Sequence, residues 1–336
     1  MKALCLLAPA LLVCAAPAFA NVTVSSPVNG ALVVSPFSLA ATASPCSAQP
    51  IASMGYSFDN SSNTTIVNGT SVNTHVSGAA GAHILHVKSW GNKGSSCVAN
   101  IAITILPSPA AVVPSNAVAV TGIHTLKNWQ ATFDSGTGNG SSTGTMRIVG
   151  SPSVSGTARE FVTSYTNFGG ERYSVLFGTD ASATNFFYDT WIYPASPTSD
   201  IANIEMDLNQ VMSNGETVIF GFQCDGWSGT WDYTTNGGTP QAPKDLWLHS
   251  TSSCNPRAWT TNTWHHVQIQ FSRDNQGNVT YRSVWFDGAE QEINATVPSA
   301  FALGWGPALL TNFQVDGIGG SGSAIVYLDN LTVYRW

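Results

Sequence analysis

Polar and apolar residues alternate along most of this chain in short runs, and no stretch keeps apolar residues at the helical spacing for more than a turn or two. A period of two sends successive side chains to opposite faces of a strand, so the pattern predicts an all-β protein. Gly, Pro, Asn and Ser cluster between the runs, as turns require. The clearest run is Asn203-Ile204-Glu205-Met206-Asp207-Leu208-Asn209, with every large apolar group on one face and every polar group on the other. Two carboxyls at i and i+2 have bases roughly 6.6 Å apart, because a strand rises about 3.3 Å per residue. That spacing suits a sugar or a cation, although alternation over a core also produces a wet strand face with no ligand.

The runs divide the chain. Seven of them fall between residues 21 and 106, at 22–25, 37–43, 52–58, 64–67, 71–76, 83–90 and 98–106, and predict a small β-sandwich. Residues 107–118 are Pro-, Ala-, Ser- and Val-rich without a period, and read as a semi-rigid linker. Strands return from 119 to 336, with candidates at 173–177, 186–193, 202–211, 217–224, 265–272, 279–286 and 324–334. So many strands in one unit are most simply arranged as two packed sheets.

Residues 1–20 stand apart from this pattern. Met1-Lys2, an apolar run and Ala18-Phe19-Ala20 read as a secretory leader cleaved before Asn21, and no later segment is long and apolar enough to span a bilayer. The expectation is a secreted protein, extracellular or periplasmic. Cleavage leaves Cys46, Cys97, Cys224 and Cys254, two in each predicted domain, which favours the pairs Cys46 with Cys97 and Cys224 with Cys254. Twelve basic against nineteen acidic residues give a formal charge of -7, and loss of Lys2 with the leader makes it -8. That balance excludes a basic nucleic-acid footprint.

Several stretches carry resemblances. Residues 50–59 and 81–90 resemble bacterial Ig-like domains of secreted proteins, which act as spacers. Trp264-His265-His266-Val267-Gln268-Ile269-Gln270-Phe271, followed by Val284-Trp285-Phe286-Asp287-Gly288, is similar to a signature of laminin-G and concanavalin A-like domains. Residues 327–334 resemble the closing strand of the concanavalin A-like lectin and glucanase superfamily. The fold expected is therefore all-β, a small Ig-like β-sandwich followed by a larger concanavalin A-like jelly-roll sandwich.

In that superfamily the family-16 type hydrolases carry an E-x-D-x-E or E-x-D-x-x-E strand. Glu205 matches its nucleophile and Asp207 its central aspartate, but Asn209 or Gln210 stands where the second Glu belongs. An amide cannot donate and recover a proton as a carboxyl does. A retaining mechanism would then borrow its acid from Asp189, Asp225 or Asp232, and a lyase would draw on His266, Tyr233 and Arg172.

Binding without turnover needs less. A groove wants aromatic rings for the C–H faces of sugars and carboxylates or amides for their hydroxyls. Gly226-Trp227-Ser228-Gly229-Thr230-Trp231-Asp232-Tyr233 supplies rings, with Trp247 following, and Trp191 shares a strand face with Asp189. The leading expectation is a secreted carbohydrate-binding protein that contacts a polysaccharide through Glu205, Asp207, Asn209, Gln210, Trp191, Trp227, Trp231, Tyr233 and His266. A glycoside hydrolase or polysaccharide lyase, with Glu205 and Asp207 catalytic, and an adhesion module binding protein are the alternatives. No cofactor is required; a structural calcium at Asp329, which resembles a metal-holding aspartate of relatives, with Asp134 as partner, is a further expectation.

Overall fold

The computed structural model describes residues 22–45, 49–60, 62–79, 81–106, 113–134 and 139–336. The predicted leader at 1–20, Cys46 and half of the predicted linker lie outside these residues. The chain forms two compact units, Met1–Ile105 and Leu106–Trp336.

Among its described residues the first unit holds eight strands: β1 (Val22–Ser26), β2 (Ala31–Val34), β3 (Phe37–Ala43), β4 (Ile51–Phe58), β5 (Thr65–Asn68), β6 (Ser71–Val76), β7 (Gly81–Gly91) and β8 (Ser96–Leu106). They form a three-stranded sheet, β1-β3-β6, and a five-stranded sheet, β2-β8-β7-β4-β5. Alternate residues of β3 and β7, among them Leu39, Ala41, Leu85 and Val87, are buried in one core. Cys97 is disulfide-bonded.

The second unit continues with β9 (Val118–Val120), β10 (Gln130–Asp134), β11 (Ser141–Val149), β12 (Ala158–Thr166), β13 (Gly170–Gly178), β14 (Asn185–Pro194), β15 (Ile201–Val211), β16 (Thr217–Phe220), β17 (Phe222–Asp225), β18 (Thr230–Asn236) and β19 (Asp245–Ser253). It closes with β20 (His265–Arg273), β21 (Asn278–Phe286), β22 (Ala289–Pro298), β23 (Ala300–Phe301), β24 (Leu309–Gly317) and β25 (Ser321–Arg335). One sheet runs β10-β13-β24-β15-β17-β18-β19, with β16 joining β15 to β23; the other runs β11-β12-β25-β14-β20-β21-β22, with β9 on β25. The result is an all-β jelly-roll sandwich. Its core interleaves Ile204, Met206 and Leu208 of β15 and Phe313 of β24 with Tyr188 of β14 and Phe271 of β20. Burial of each such side chain stabilises by roughly 1.5 to 3 kcal/mol.

The period-two pattern of β15 survives intact in three dimensions. Its apolar set faces this core, so Asn203, Glu205, Asp207 and Asn209 point away from it, where they line an open cleft. β14, which a short connection joins to β15, does not lie beside it: it pairs with β20 and β25 in the opposite sheet. A connection of that length also serves to cross from one layer to the other.

Candidate functional site

The outer face of the β15 sheet carries a cleft of about 590 Å³, within the range of small-molecule sites. Antiparallel pairing builds its floor in rows. Glu205 lies opposite Gln314 of β24 on one side and Gln223 of β17 on the other, and Gln223 lies opposite Asp232 of β18. Asp232 in turn lies opposite His249 of β19. In the adjacent row Asn203 lies opposite Asp316 and Asp225.

Amides are interleaved with the acids and hydrogen-bond to them. Asn203 Nδ2 donates to Asp316 Oδ2 at 2.7 Å and to Gln223 Oε1 at 2.7 Å. Gln314 Nε2 donates to Asp316 Oδ1 at 3.1 Å and to Asp134 Oδ2 at 3.2 Å. Asp207 accepts from the Phe222 N–H at 3.2 Å and from Asn312 Nδ2 at 3.4 Å. The Phe222 donor is aimed at a side chain because the strand breaks at Gly221, whose N–H is taken by Thr234 Oγ1 at 3.1 Å. A Cβ at Gly221 would lie 2.4 Å from Thr234 Cγ2, which is why glycine stands there.

Burial sets the protonation of this floor. The Glu205 carboxyl is driven well above the usual range, first by burial and then by the charge of Asp207. Burial likewise pushes Asp207 up to about 6 and Asp316 up to about 7, Asp316 being raised further by the charge of Asp134. Asn209 is 2% exposed, and neither its Nδ2 nor its Oδ1 has a partner among the described residues. It lines the cleft beside Asp207 as an unpaired donor and an unpaired acceptor.

Three indoles complete the lining: Trp227, 59% exposed and packed on Phe168 at 5.5 Å, Trp247 of β19, and Trp305 in the segment before β24. Cys224 and Cys254 form a disulfide, as their spacing favoured, and it ties β17 to the end of β19.

Several expected contacts are not in the cleft. Trp231 and Tyr233 occupy the other parity of β18 from Asp232 and Thr234, and so face the interior: Trp231 stacks on Phe222 at 5.3 Å and Tyr233 packs on Tyr281 at 5.0 Å. Gln210 also points inward, accepting from Arg273 Nε at 2.6 Å and donating to the Ala183 carbonyl at 3.0 Å. Asn209 is thus the residue at the position of the missing Glu.

Trp191 and His266 belong to the opposite sheet, stacked on each other at 4.4 Å, with His266 Nε2 2.8 Å from Asp189 Oδ1. Asp189 therefore cannot serve as an acid for Glu205. The lyase set is divided as well, since Arg172 alone of His266, Tyr233 and Arg172 lines the cleft. His265, by contrast, is stacked on Phe286 and 5% exposed, in keeping with its apolar strand face.

The calcium expectation also needs correction. Asp134 sits in the cleft-bearing sheet and Asp329 in the other. Asp329 Oδ2 accepts from Ser153 Oγ at 2.7 Å, Val154 N at 2.6 Å and Ser155 N at 3.1 Å, while Oδ1 accepts from Ser155 Oγ at 2.6 Å. This carboxylate pins a loop and does not pair with Asp134. Among the described residues, Asp225, Asp232 and His249 bring ligand atoms within 4.8 Å of one another, close enough for a metal ion. The carboxylates of this cluster also accept hydrogen bonds: Asp225 from the N–H groups of Trp227 and Ser228, and Asp232 from Thr230 Oγ1 and His249 Nδ1.

The residues that sequence reasoning missed follow one legible signal and one illegible one. Asn312-Phe313-Gln314-Val315-Asp316 alternates as plainly as β15 and pairs with it, yet was not among the predicted strands. Trp305 lies in an irregular segment that no periodicity marks.

No family model and no curated protein matches the chain. Solved structures of similar architecture include a carbohydrate-binding module of the β-sandwich superfamily studied for promiscuous specificity, at 13% identity and TM-score 0.32 over 93% of this chain and 97% of that one. A cellulose-induced protein matches at 13% identity and TM-score 0.35 over 61% of this chain and 90% of that one. A family 11 carbohydrate-binding module from a cellulosomal cellulase of Clostridium thermocellum matches at 13% identity and TM-score 0.29, over 66% and 95%.

Proposed function

We propose that this is an exported saccharide-binding protein whose second unit holds a segment of extracellular polysaccharide in the cleft over β15, the first unit serving as an Ig-like spacer. The observation that carries the reading is the lining itself. Carboxyls and amides form the floor, and Trp227, Trp247 and Trp305 stand with them in one open cleft. Hydroxyls pair with the first set and C–H faces stack on the second. Retaining hydrolysis needs two carboxyls about 5 to 5.5 Å apart, one of them free to act as acid. Here Asp207 is held by the Phe222 N–H and Asn312 Nδ2, and the third position of the strand motif is the amide of Asn209. Those features favour holding a glycan over cutting it.

Affinity electrophoresis through gels cast with neutral, acidic and amine-bearing polysaccharides tests the proposal, with released reducing ends assayed alongside. Retardation in at least one gel, relieved in a Trp227→Ala Trp305→Ala variant, is expected. Retardation in none would overturn the reading, and reducing ends released by the wild type but not by Glu205→Gln would replace binding with turnover.

A further inference from the structure

The charge of the cleft and its unpaired amide select among saccharides, and the following rests on the saccharide reading above. Among the described residues, seven carboxyl side chains line the cleft, against one guanidinium, Arg172, and one imidazole, His249. A polyuronate entering it would set its carboxylates against a lining of carboxyls, some of them held protonated by burial, with Arg172 as the guanidinium to meet them. A neutral glucan would leave buried carboxyls with only hydroxyls for partners. A polymer bearing ammonium groups offers each carboxyl a charge-assisted hydrogen bond, and charge-assisted bonds are about twice as strong as neutral ones.

An acidic surface by itself identifies nothing, and Asn209 supplies the independent observation. It is 2% exposed, shares the cleft face with Glu205 and Asp207, and its Nδ2 and Oδ1 are both unpaired. Buried amides are normally satisfied, so an orphan donor and acceptor side by side at a cleft floor mark where a ligand completes the pairing. A bare metal ion would engage Oδ1 and leave Nδ2 orphaned, and it has no use for an indole wall. Adjacent substituents of a sugar ring satisfy both atoms, one donating and one accepting. The exposed indoles add to the same preference, since a cation lying over an indole face is attracted by its quadrupole.

We propose that the cleft recognises an amino-sugar polymer, a polysaccharide of glucosamine type with its amines protonated, with Asn209 pairing to adjacent ring substituents and the surrounding carboxyls meeting the ammonium groups. Calorimetric titrations of the full chain at pH 6, with a chelator present to exclude metal bridging, would use four hexasaccharides: β-1,4-linked glucosamine, its N-acetylated form, β-1,4-linked glucose and oligogalacturonate. The glucosamine hexamer should bind at least about tenfold tighter than the glucose hexamer, and the gap should narrow as salt screens it. Asp245→Asn, an exposed change at the cleft edge, should reduce the preference about twofold to threefold, the glucosamine hexamer losing more affinity than the glucose hexamer; Asn209→Ala should weaken all ligands that bind. Equal or tighter binding of the glucose or galacturonate hexamer overturns amine selection but leaves the saccharide reading standing. Failure of all four, together with no retardation in the polysaccharide gels, overturns both.

Discussion

Glu205 and Asp207 stand two residues apart on the cleft face of β15, both buried. Two carboxyls so placed resist losing both protons, so they titrate together and above the usual range. Burial supplies the reason: both are at least nine-tenths enclosed on a strand whose every residue is buried, and two adjacent charges there would repel without solvent to screen them.

This arrangement predicts a stability that falls as pH rises toward neutrality. An acid held above its unfolded value keeps its proton in the folded chain after the unfolded chain has lost it, so folding binds protons across that window and rising pH opposes it. For Asp316 the window runs from 3.8 to about 7, and for Asp207 from 3.8 to about 6. Asp316 alone removes roughly 4 kcal/mol of stability as pH rises across it. Thermal unfolding between pH 5 and 8 should show a descending limb that Asp316→Asn flattens. A midpoint constant over that range in the wild type would contradict the assignment.

How much of this was legible in the sequence differs by element. β15 was readable because alternation there is unbroken, and one-residue parity decides which face each side chain takes. The same parity applied to Thr230-Trp231-Asp232-Tyr233-Thr234 would have sent Trp231 and Tyr233 inward; treating the stretch as a turn obscured the strand that begins at Thr230. Sheet membership was not legible at all. Asp189, Trp191 and His266 look like cleft residues on strand-face grounds, and only the pairing of β14 with β20 and β25 places them in the other layer. Periodicity gives the face of a strand but not which sheet it joins.

Trp227 and Trp231, four residues apart, should separate binding from folding. Trp227 is 59% exposed at the cleft, whereas Trp231 is fully buried against Phe222. Trp227→Ala should leave the unfolding midpoint unchanged and weaken ligand binding by roughly 1 kcal/mol, about fivefold. Trp231→Ala should destabilise by roughly 3 to 5 kcal/mol, as loss of a buried aromatic does. Denaturant titration of both variants with binding measured on the same samples checks the contrast, and an unstable Trp227→Ala would remove that indole from the ligand wall.

Asp329 gives the opposite pH limb. Burial alone would raise its carboxyl, but hydrogen bonds from His124, Ser155 and Ser153 outweigh that and hold it low. Its stabilisation is present above the unfolded value of 3.8 and is lost as pH falls below it. Asp329→Ala strands the N–H groups of Val154 and Ser155 and should cost roughly 3 to 5 kcal/mol at neutral pH. Unfolding measured at pH 7 and pH 3 should show the difference between wild type and variant shrinking at the lower pH; an equal difference at both would mean that the carboxylate charge is not what holds the loop.

The disulfide between Cys224 and Cys254 closes a segment with a sequence separation of 30, and that segment carries Trp227, Asp232, Trp247 and His249 of the cleft. Closing a loop of that length stabilises by roughly 3 to 4 kcal/mol through the entropy denied to the unfolded chain. The bond has a second consequence in the folded state, because Cys224 sits between Gln223 and Asp225, both of the cleft floor, while Cys254 directly follows the strand bearing Trp247. Without the bond, β17 and β19 are related only through the ladders of β18, and the indole wall can shift against the acid floor. Cys224→Ser Cys254→Ser should therefore lose stability by that amount and, at a temperature where it is still folded, bind its ligand several-fold more weakly than wild type. Unchanged affinity in the folded double variant would confine the disulfide to stabilising the chain and show that the β17 to β19 geometry is held by the sheet itself.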